Sequence, residues 1–407
     1  MSIFSGFPKT TPAHVPQNLV FEYPFVFGKT LKGDPYNEIV PLIHQMPPVF
    51  WATNAYPGEG PAWVVRRAAD MRQIYMDTAH FSNRGFAPFA ELLGENWHLV
   101  PAEMDPPNHA PYRALIFPLF TPAAVRKLDS VLFDYAQEFL GKFKQRGHCE
   151  FMHEFAFEFP ITVVLQLLAL PRENLKMFLE WETDMLHGHD LEMIKSATRK
   201  VVDYLRGVIA ERKKNPGDDV ISFALAAEVQ GQKFTDDEVL GFAFNLFIGG
   251  LDTVSTNLGV QFWHLATHPE HQAYLRAHPE AIPDAIEEML RAYAAVTTFR
   301  VCVKETTVNG VRMLPGDKVA MSTTLACRDP EEFDRPNEVI LDRKPKHMGF
   351  ATGPHLCLGM HLARRELALA MTEFLKAIPP FRLAPGTNVE FHLGMIQILD
   401  LPLVWDV

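Results

Sequence analysis

Between Thr235 and Pro269 the chain spells one long helix that is apolar almost all round its middle, and this run limits the fold more than any other feature. Its start is fixed: Thr235-Asp-Asp-Glu238 is a capping box, in which a hydroxyl and a carboxylate three positions apart satisfy each other's free backbone amides. Pro269 stops it. At 1.5 Å per residue the helix is about 48 Å long. A helix apolar on every side is buried on every side, so it must cross the interior, and the rest of the chain must wrap it.

The remaining composition suits that role. Of 407 residues 47% are hydrophobic, 31 of them Phe, and only 21% are charged, which excludes a disordered chain and fits a protein that encloses a large apolar object. A formal net charge of −11 argues against nucleic acid as a partner. Cys149, Cys302, Cys327 and Cys357 are scattered with no CxxC pair, as expected of reduced thiols in a cytoplasmic protein. Met1 to Pro16 has no signal-like apolar core, so no membrane anchor is expected. No repeat or long Gly/Ser linker divides the chain, and residues 1–407 read as one domain.

Elsewhere the pattern predicts a mainly α fold with small β-sheets. Residues 49–53 and 62–66 form a hairpin turning at 57–60, helical spacing dominates from Thr121 to Pro283, a helix fills about Leu358 to Ile378, and Leu399 to Val404 is a last strand. Just before the helix at 358 stands Phe350-Ala-Thr-Gly353-Pro-His355-Leu-Cys357-Leu-Gly359. A cysteine at a helix N-terminus is biased toward the thiolate, the form that binds metal. Gly353 and Gly359 remove side chains where the backbone would pass a flat ligand. Phe350 can shield the sulfur, and His355 can reach a ligand's carboxylate. A lone cysteine would be read as a small buried hydrophobe; this ordered set of residues is not a lone cysteine.

The loop resembles the haem-binding signature of the cytochrome P450 family, and Leu362-Ala-Arg-Arg365 continues it, with Ala351 where the family usually has Gly. The resemblance covers most of the chain and is closest to the camphor-hydroxylating bacterial branch. It implies the P450 fold, a single large domain with haem b between the long central helix and the cysteine-loop helix. It also implies Cys357 as the axial thiolate and metal ligand, and O2 as co-substrate. Glu288 and Arg291, three residues apart and so on one helical face, correspond by resemblance to the family's structural pair, with Arg343 as its third member. His109 and Arg113 share a helix face that suits an anion, and by resemblance they hold the haem propionates with Arg300 and His355. Thr298 stands where the nearest members carry an acid.

Gly249 and Gly250 in mid-helix cost about 2 kcal/mol against alanine, a loss that a groove for O2 would explain. Thr253 can then hydrogen-bond the oxygen and Asp252 relay protons; a tight helix crossing with Asp252 in an internal ion pair is the bland alternative. Candidate pocket residues are Trp97, Pro88, Phe89, Asn245, Ile248, Val296, Phe299, Met395 and Ile396. Trp97 replaces the tyrosine that binds a substrate ketone in the resembled branch, so camphor should fit poorly. Asn245, the one amide in its run, bonds a substrate carbonyl, a water or a neighbouring helix.

These features imply a monooxygenase for a small terpenoid or an ionone-like norisoprenoid. Without a flavin motif or fused reductase, electrons would come from a separate 2Fe–2S ferredoxin and its reductase. Arg72, Arg113, Lys344 and Arg365 are the candidate docking contacts, and the protein itself is expected to be a monomer. A peroxide-driven peroxygenase and a haem sensor or carrier are the alternatives. His187-Gly-His189-Asp190 reads as the turn between two lid helices, Arg172 to Leu186 and Leu191 to Lys214, and not as a metal site.

Overall fold

The computed structural model describes residues 11–26, 28–56, 60–87, 89–188 and 190–407. The central helix spans Asp236–Thr267, and both halves of its capping box form: Thr235 Oγ1 accepts from the Glu238 amide and Glu238 Oε2 from the Thr235 amide. It is long and apolar enough to span a bilayer, yet 67% of its most apolar stretch is buried inside the protein, as befits the spine of a folded core.

That spine belongs to two hydrophobic clusters. Val239 to Leu251 pack with Trp97, Leu99, Ile161, Val164, Phe178, Val201 and Leu205. Val254 to Leu265 pack instead with the main sheet and the C-terminal helix. The seam falls at Asp252 and Thr253. Phe242, Phe244, Phe247 and Phe262 are completely buried along it, each contributing about 1.5–3 kcal/mol of apolar burial.

The main sheet has six strands in the order Val20–Phe21, Val49–Tyr56, Gly60–Val65, Lys318–Ser322, Thr297–Cys302, Phe81–Ser82. The early hairpin pairs Trp51 with Trp63, and its strands reach Tyr56 and Gly60; positions 57–59 of its turn lie outside the described residues. Strand Thr297–Cys302 runs antiparallel to Lys318–Ser322, with Arg300 opposite Val319. At the C-terminus the chain differs from expectation: Gln397–Ile398 and Pro402–Trp405 are separate strands in different sheets, because residues 399–401 cross from one to the other.

The cysteine-loop helix is Met360–Ala377. The lid helices are Leu175–Leu186, preceded by a single 3-10 turn at Arg172–Asn174, and Leu191–Lys214, capped by the Asp190 carboxylate on the Met193 amide at 2.8 Å. Glu95 fastens the segment before Trp97 to the second lid helix through Arg199 and through Arg206 at 2.8 and 3.2 Å.

Candidate haem-thiolate site

The cysteine loop closes on itself. The Cys357 amide donates to Phe350 O at 3.0 Å, Leu356 N to Gly353 O at 3.1 Å and Ala351 N to Met348 O at 2.8 Å. Ala351 adopts φ +58, a left-handed conformation that costs a residue with a Cβ about 1–2 kcal/mol, so the turn keeps the shape a glycine would take. Gly353 has φ +76, and a Cβ there would lie 2.8 Å from Tyr75 O. Its own backbone conformation and the Tyr75 carbonyl are thus sufficient to require glycine here. Beside Gly359 a Cβ would meet nothing within 4 Å among the described residues.

Cys357 lies two residues before the N-cap Gly359, whose backbone amide favours the thiolate. Burial pushes the thiol up, against the Gly359 amide, Arg113 and Arg364, which favour the thiolate. A bound metal would favour loss of that proton, as thiolate ligation does.

Flanking the loop is a basic set short of acceptors. His109 and His355 lie with ring centroids 4.1 Å apart, and Nε2 of each is buried with no hydrogen-bond partner among the described residues. Burial, reinforced by neighbouring cations, lowers His109 to about 4 and His355 to about 3. Arg300 is buried above the Tyr75 ring at 5.1 Å, and Arg113 donates to Leu356 O. Two guanidiniums beside two unpartnered imidazoles make a place for an anion. Thr298 bonds the Tyr75 hydroxyl at 2.7 Å, so its position feeds the wall around Arg300.

Glu288 and Arg291 are fully buried and paired twice at 2.8 Å. Arg291 spends its three other N–H groups on Cys327 O, Pro336 O and Glu338 O, and Arg343 joins Glu288 at 3.0 Å. Sequence reasoning missed Glu287, one residue earlier. It takes Arg364 in a bidentate pair at 2.6 and 2.8 Å and His347 at 3.2 Å, and Arg364 in turn covers the Phe350 ring at 4.7 Å. The acidic doublet Glu287-Glu288 was the available signal.

The two mid-helix glycines divide between the readings offered for them. A Cβ at Gly250 would fall 2.4 Å from Val164 Cγ2, so Gly250 serves a helix crossing. At Gly249 a Cβ would meet nothing within 4 Å among the described residues, so that position opens a notch. Thr253 donates its hydroxyl proton to Gly249 O at 3.0 Å, which leaves its oxygen free to accept.

Asp252 is buried and takes Gln397 Nε2 and, at 3.4 Å, His187 Nε2; His187 also faces Glu182 at 4.0 Å. Burial lowers the His187 imidazolium, but Asp252 and Glu182 raise it overall. Burial and Asp252 lift Glu182 to about 8 against the pull of His187. The lid turn, read from sequence as a plain loop, thus touches the acid of the central helix. His189 lies outside the described residues.

Of the pocket candidates, Phe89 and Trp97 meet the Phe244 ring at 5.3 and 5.0 Å. The Trp97 indole N–H is held by Glu95 Oε2 at 2.7 Å, so it is not left to replace the tyrosine hydroxyl toward a substrate. Asn245 Nδ2 donates to Val100 O at 3.2 Å, a loop carbonyl, which engages one of its two amide N–H groups. Ile248 packs partly buried in the same cluster, Phe299 sits edge-on to Tyr56 at 5.0 Å, and the Val296 carbonyl takes Thr323. Met395 Sδ lies 3.5 Å from Thr256 Oγ1, while Ile396 is buried in the sheet-side core; Pro88 lies outside the described residues. The docking cations are already engaged: Arg72 with Glu332 at 2.8 Å, Lys344 with Asp284 at 3.2 Å and Arg365 with Asp129 at 2.6 Å, while Arg113 points inward to the loop.

A cysteine loop ahead of a helix, an anion-ready basic flank and a notched spine helix define a haem-thiolate protein. The chain belongs to the cytochrome P450 family, whose sequence model matches residues 161–393. It is 36% identical to a probable cytochrome P450 127A1 of Sinorhizobium fredii, over 97% of this chain and 96% of that one. The mycinamicin IV hydroxylase/epoxidase of Micromonospora griseorubida is 31% identical over 94% and 98%. The crystal structures of CYP101J2 and CYP101C1 each superpose with a TM-score of 0.87 at 29% identity, covering 98% of this chain and all of theirs. The fold is the mainly α P450 fold. The cofactor is haem b on the Cys357 thiolate with O2 as co-substrate, and the activity is that of a monooxygenase.

Proposed function

We propose that this monooxygenase hydroxylates a small, largely apolar substrate of the monoterpenoid or ionone-like norisoprenoid class, drawing electrons from a separate 2Fe–2S ferredoxin served by its reductase. One observation carries the substrate class. The Trp97 N–H and one Asn245 amide N–H are taken by protein acceptors, so apart from the Asn245 carbonyl oxygen the proposed lining of Phe89, Trp97, Phe244 and Ile248 presents apolar surface. Such a pocket rewards apolar burial and provides little to orient a polar ligand.

Bound haem supplies the activation of O2. Cys357 Sγ holds its iron, and His109, Arg113, Arg300 and His355 hold its propionates, which gives the two orphaned imidazole nitrogens their acceptors. Glu288, Arg291 and Arg343 fix the segment leading into the loop, and Phe350, clamped by Arg364, keeps water from the sulfur. Gly249 leaves the notch free of side chain. Thr253 Oγ1 accepts a hydrogen bond there, and the Asp252 carboxylate takes a proton from solvent and passes it inward. The protein works as a cytoplasmic monomer, with residues 1–407 as one domain. An acidic ferredoxin would dock by exchanging the present carboxylate partners of Arg72, Lys344 and Arg365 for its own.

Titrating the ferric holoprotein with a panel of monoterpenoids and norisoprenoids should give saturable spin-state shifts, with camphor weak among them. A panel that gives no shift, while bulky polar ligands do, would overturn the substrate class.

A further inference from the structure

Glu182, His187 and Asp252 arrive from the end of a lid helix, the turn after it and the central helix, and their ligand atoms all lie within 4.8 Å of one another. The separations are wider than hydrogen bonding favours: 3.4 Å from His187 Nε2 to Asp252 Oδ1 and 4.0 Å to Glu182 Oε1, against about 2.7–3.2 Å for a good bond. Two ligands at 2.0–2.2 Å from a tetrahedral zinc lie roughly 3.4 Å apart, so the first spacing matches a shared cation and the second needs only a small closure.

A fourth group completes the set. Gln397 is fully buried, its amide end contacts Asp252 Oδ1, and its Oε1 has no partner among the described residues. Rotating that amide about its last bond brings a carbonyl oxygen to the cluster where an N–H now points. One imidazole, two carboxylates and one amide oxygen form a set for a borderline divalent cation, zinc above all. The His187 side chain is 18% exposed, which provides a path in from solvent.

We propose that these four residues form a divalent-cation site that clamps the lid turn to the central helix. An ion held there ties residue 187 to residues 252 and 397, restrains the lid, and occupies the carboxylate proposed to relay protons. The clamp is a brake on turnover, not part of it. The part of this inference that concerns braking rests on the proposed role of Asp252; the binding site itself does not.

The test is equilibrium dialysis of chelator-stripped holoprotein against low-micromolar Zn2+, with metal and haem counted together. The wild type should retain one zinc per haem. His187→Gln and Glu182→Gln should each weaken retention at least about tenfold, the lower end of what is lost when even an outer partner of a metal ligand is removed. His268→Gln, in the separate imidazole cluster of His264, His268 and His271, should retain it. Equal haem content across the variants establishes folding, and either ligand variant suffices if the other fails to load haem. Retention unchanged in both ligand variants, loss in His268→Gln instead, or no zinc in the wild type would overturn the site. Because no turnover is read, a protein that oxidised some other substrate class would leave the result intact.

Discussion

At the scale of single residues, the two adjacent glycines of the central helix make opposite forecasts. Gly250→Ala drives a methyl into Val164 and should cost about 1–3 kcal/mol, recovered in large part by Val164→Ala in the same chain. Gly249→Ala meets no such wall, so denaturation should show stability unchanged or raised by up to about 1 kcal/mol, while product formed per electron consumed falls. Ala351 supplies a third case. With φ +58, Ala351→Gly relieves a left-handed alanine and should raise the unfolding free energy by about 1 kcal/mol without altering the haem spectrum. Sequence alone located all three positions, because glycine and its absence are local signals. It could not separate the roles of Gly249 and Gly250, since Val164 is brought there only by the fold.

Elements show where local reasoning stops. The capping box of the central helix, the lid helices and the cysteine-loop helix were legible because cap residues and apolar spacing lie within the segment itself. The partners of Asp252 were not: His187 lies 65 residues upstream of it, and Gln397 145 residues downstream. For Cys357 the helix start names one real contribution, the Gly359 amide that favours the thiolate, but omits Arg113 and Arg364, which only the fold brings near. Two experiments belong here. Glu288→Ala leaves Arg291 buried without its counterion and should destabilise by about 3–5 kcal/mol, seen as loss of haem-loaded folded protein.

Glu95 links the Trp97 segment to the second lid helix and is held down to about 2, from an ordinary 4.5, by the Arg206 hydrogen bond, with Arg199 and Trp97 adding to it. A carboxyl whose folded value is depressed contributes stability that is complete above its unfolded value and is lost as pH falls toward the folded one. The clasp should therefore weaken between about pH 4.5 and 2. Acid denaturation of Glu95→Gln should be less steep than the wild type's across that window, and identical slopes would deny the clasp.

Over the whole molecule, the spine helix passes from one hydrophobic cluster to the other at Asp252 and Thr253, so the turn proposed to handle oxygen and protons sits where the two halves of the core meet. A boundary between two packed clusters suits a site that must admit a substrate and then exclude water. The axial cysteine was readable from sequence because the signature around it is contiguous; the contacts of the pocket candidates were not, because they come from four distant segments brought together only on folding. Everything nonetheless depends on the sulfur at position 357. The reduced holoprotein treated with carbon monoxide should show the red-shifted Soret band of a thiolate-ligated haem, and a Cys357→His variant that keeps its haem should lose it. A wild-type band of the imidazole-ligated kind, or folded wild type that retains no haem, would contradict the account.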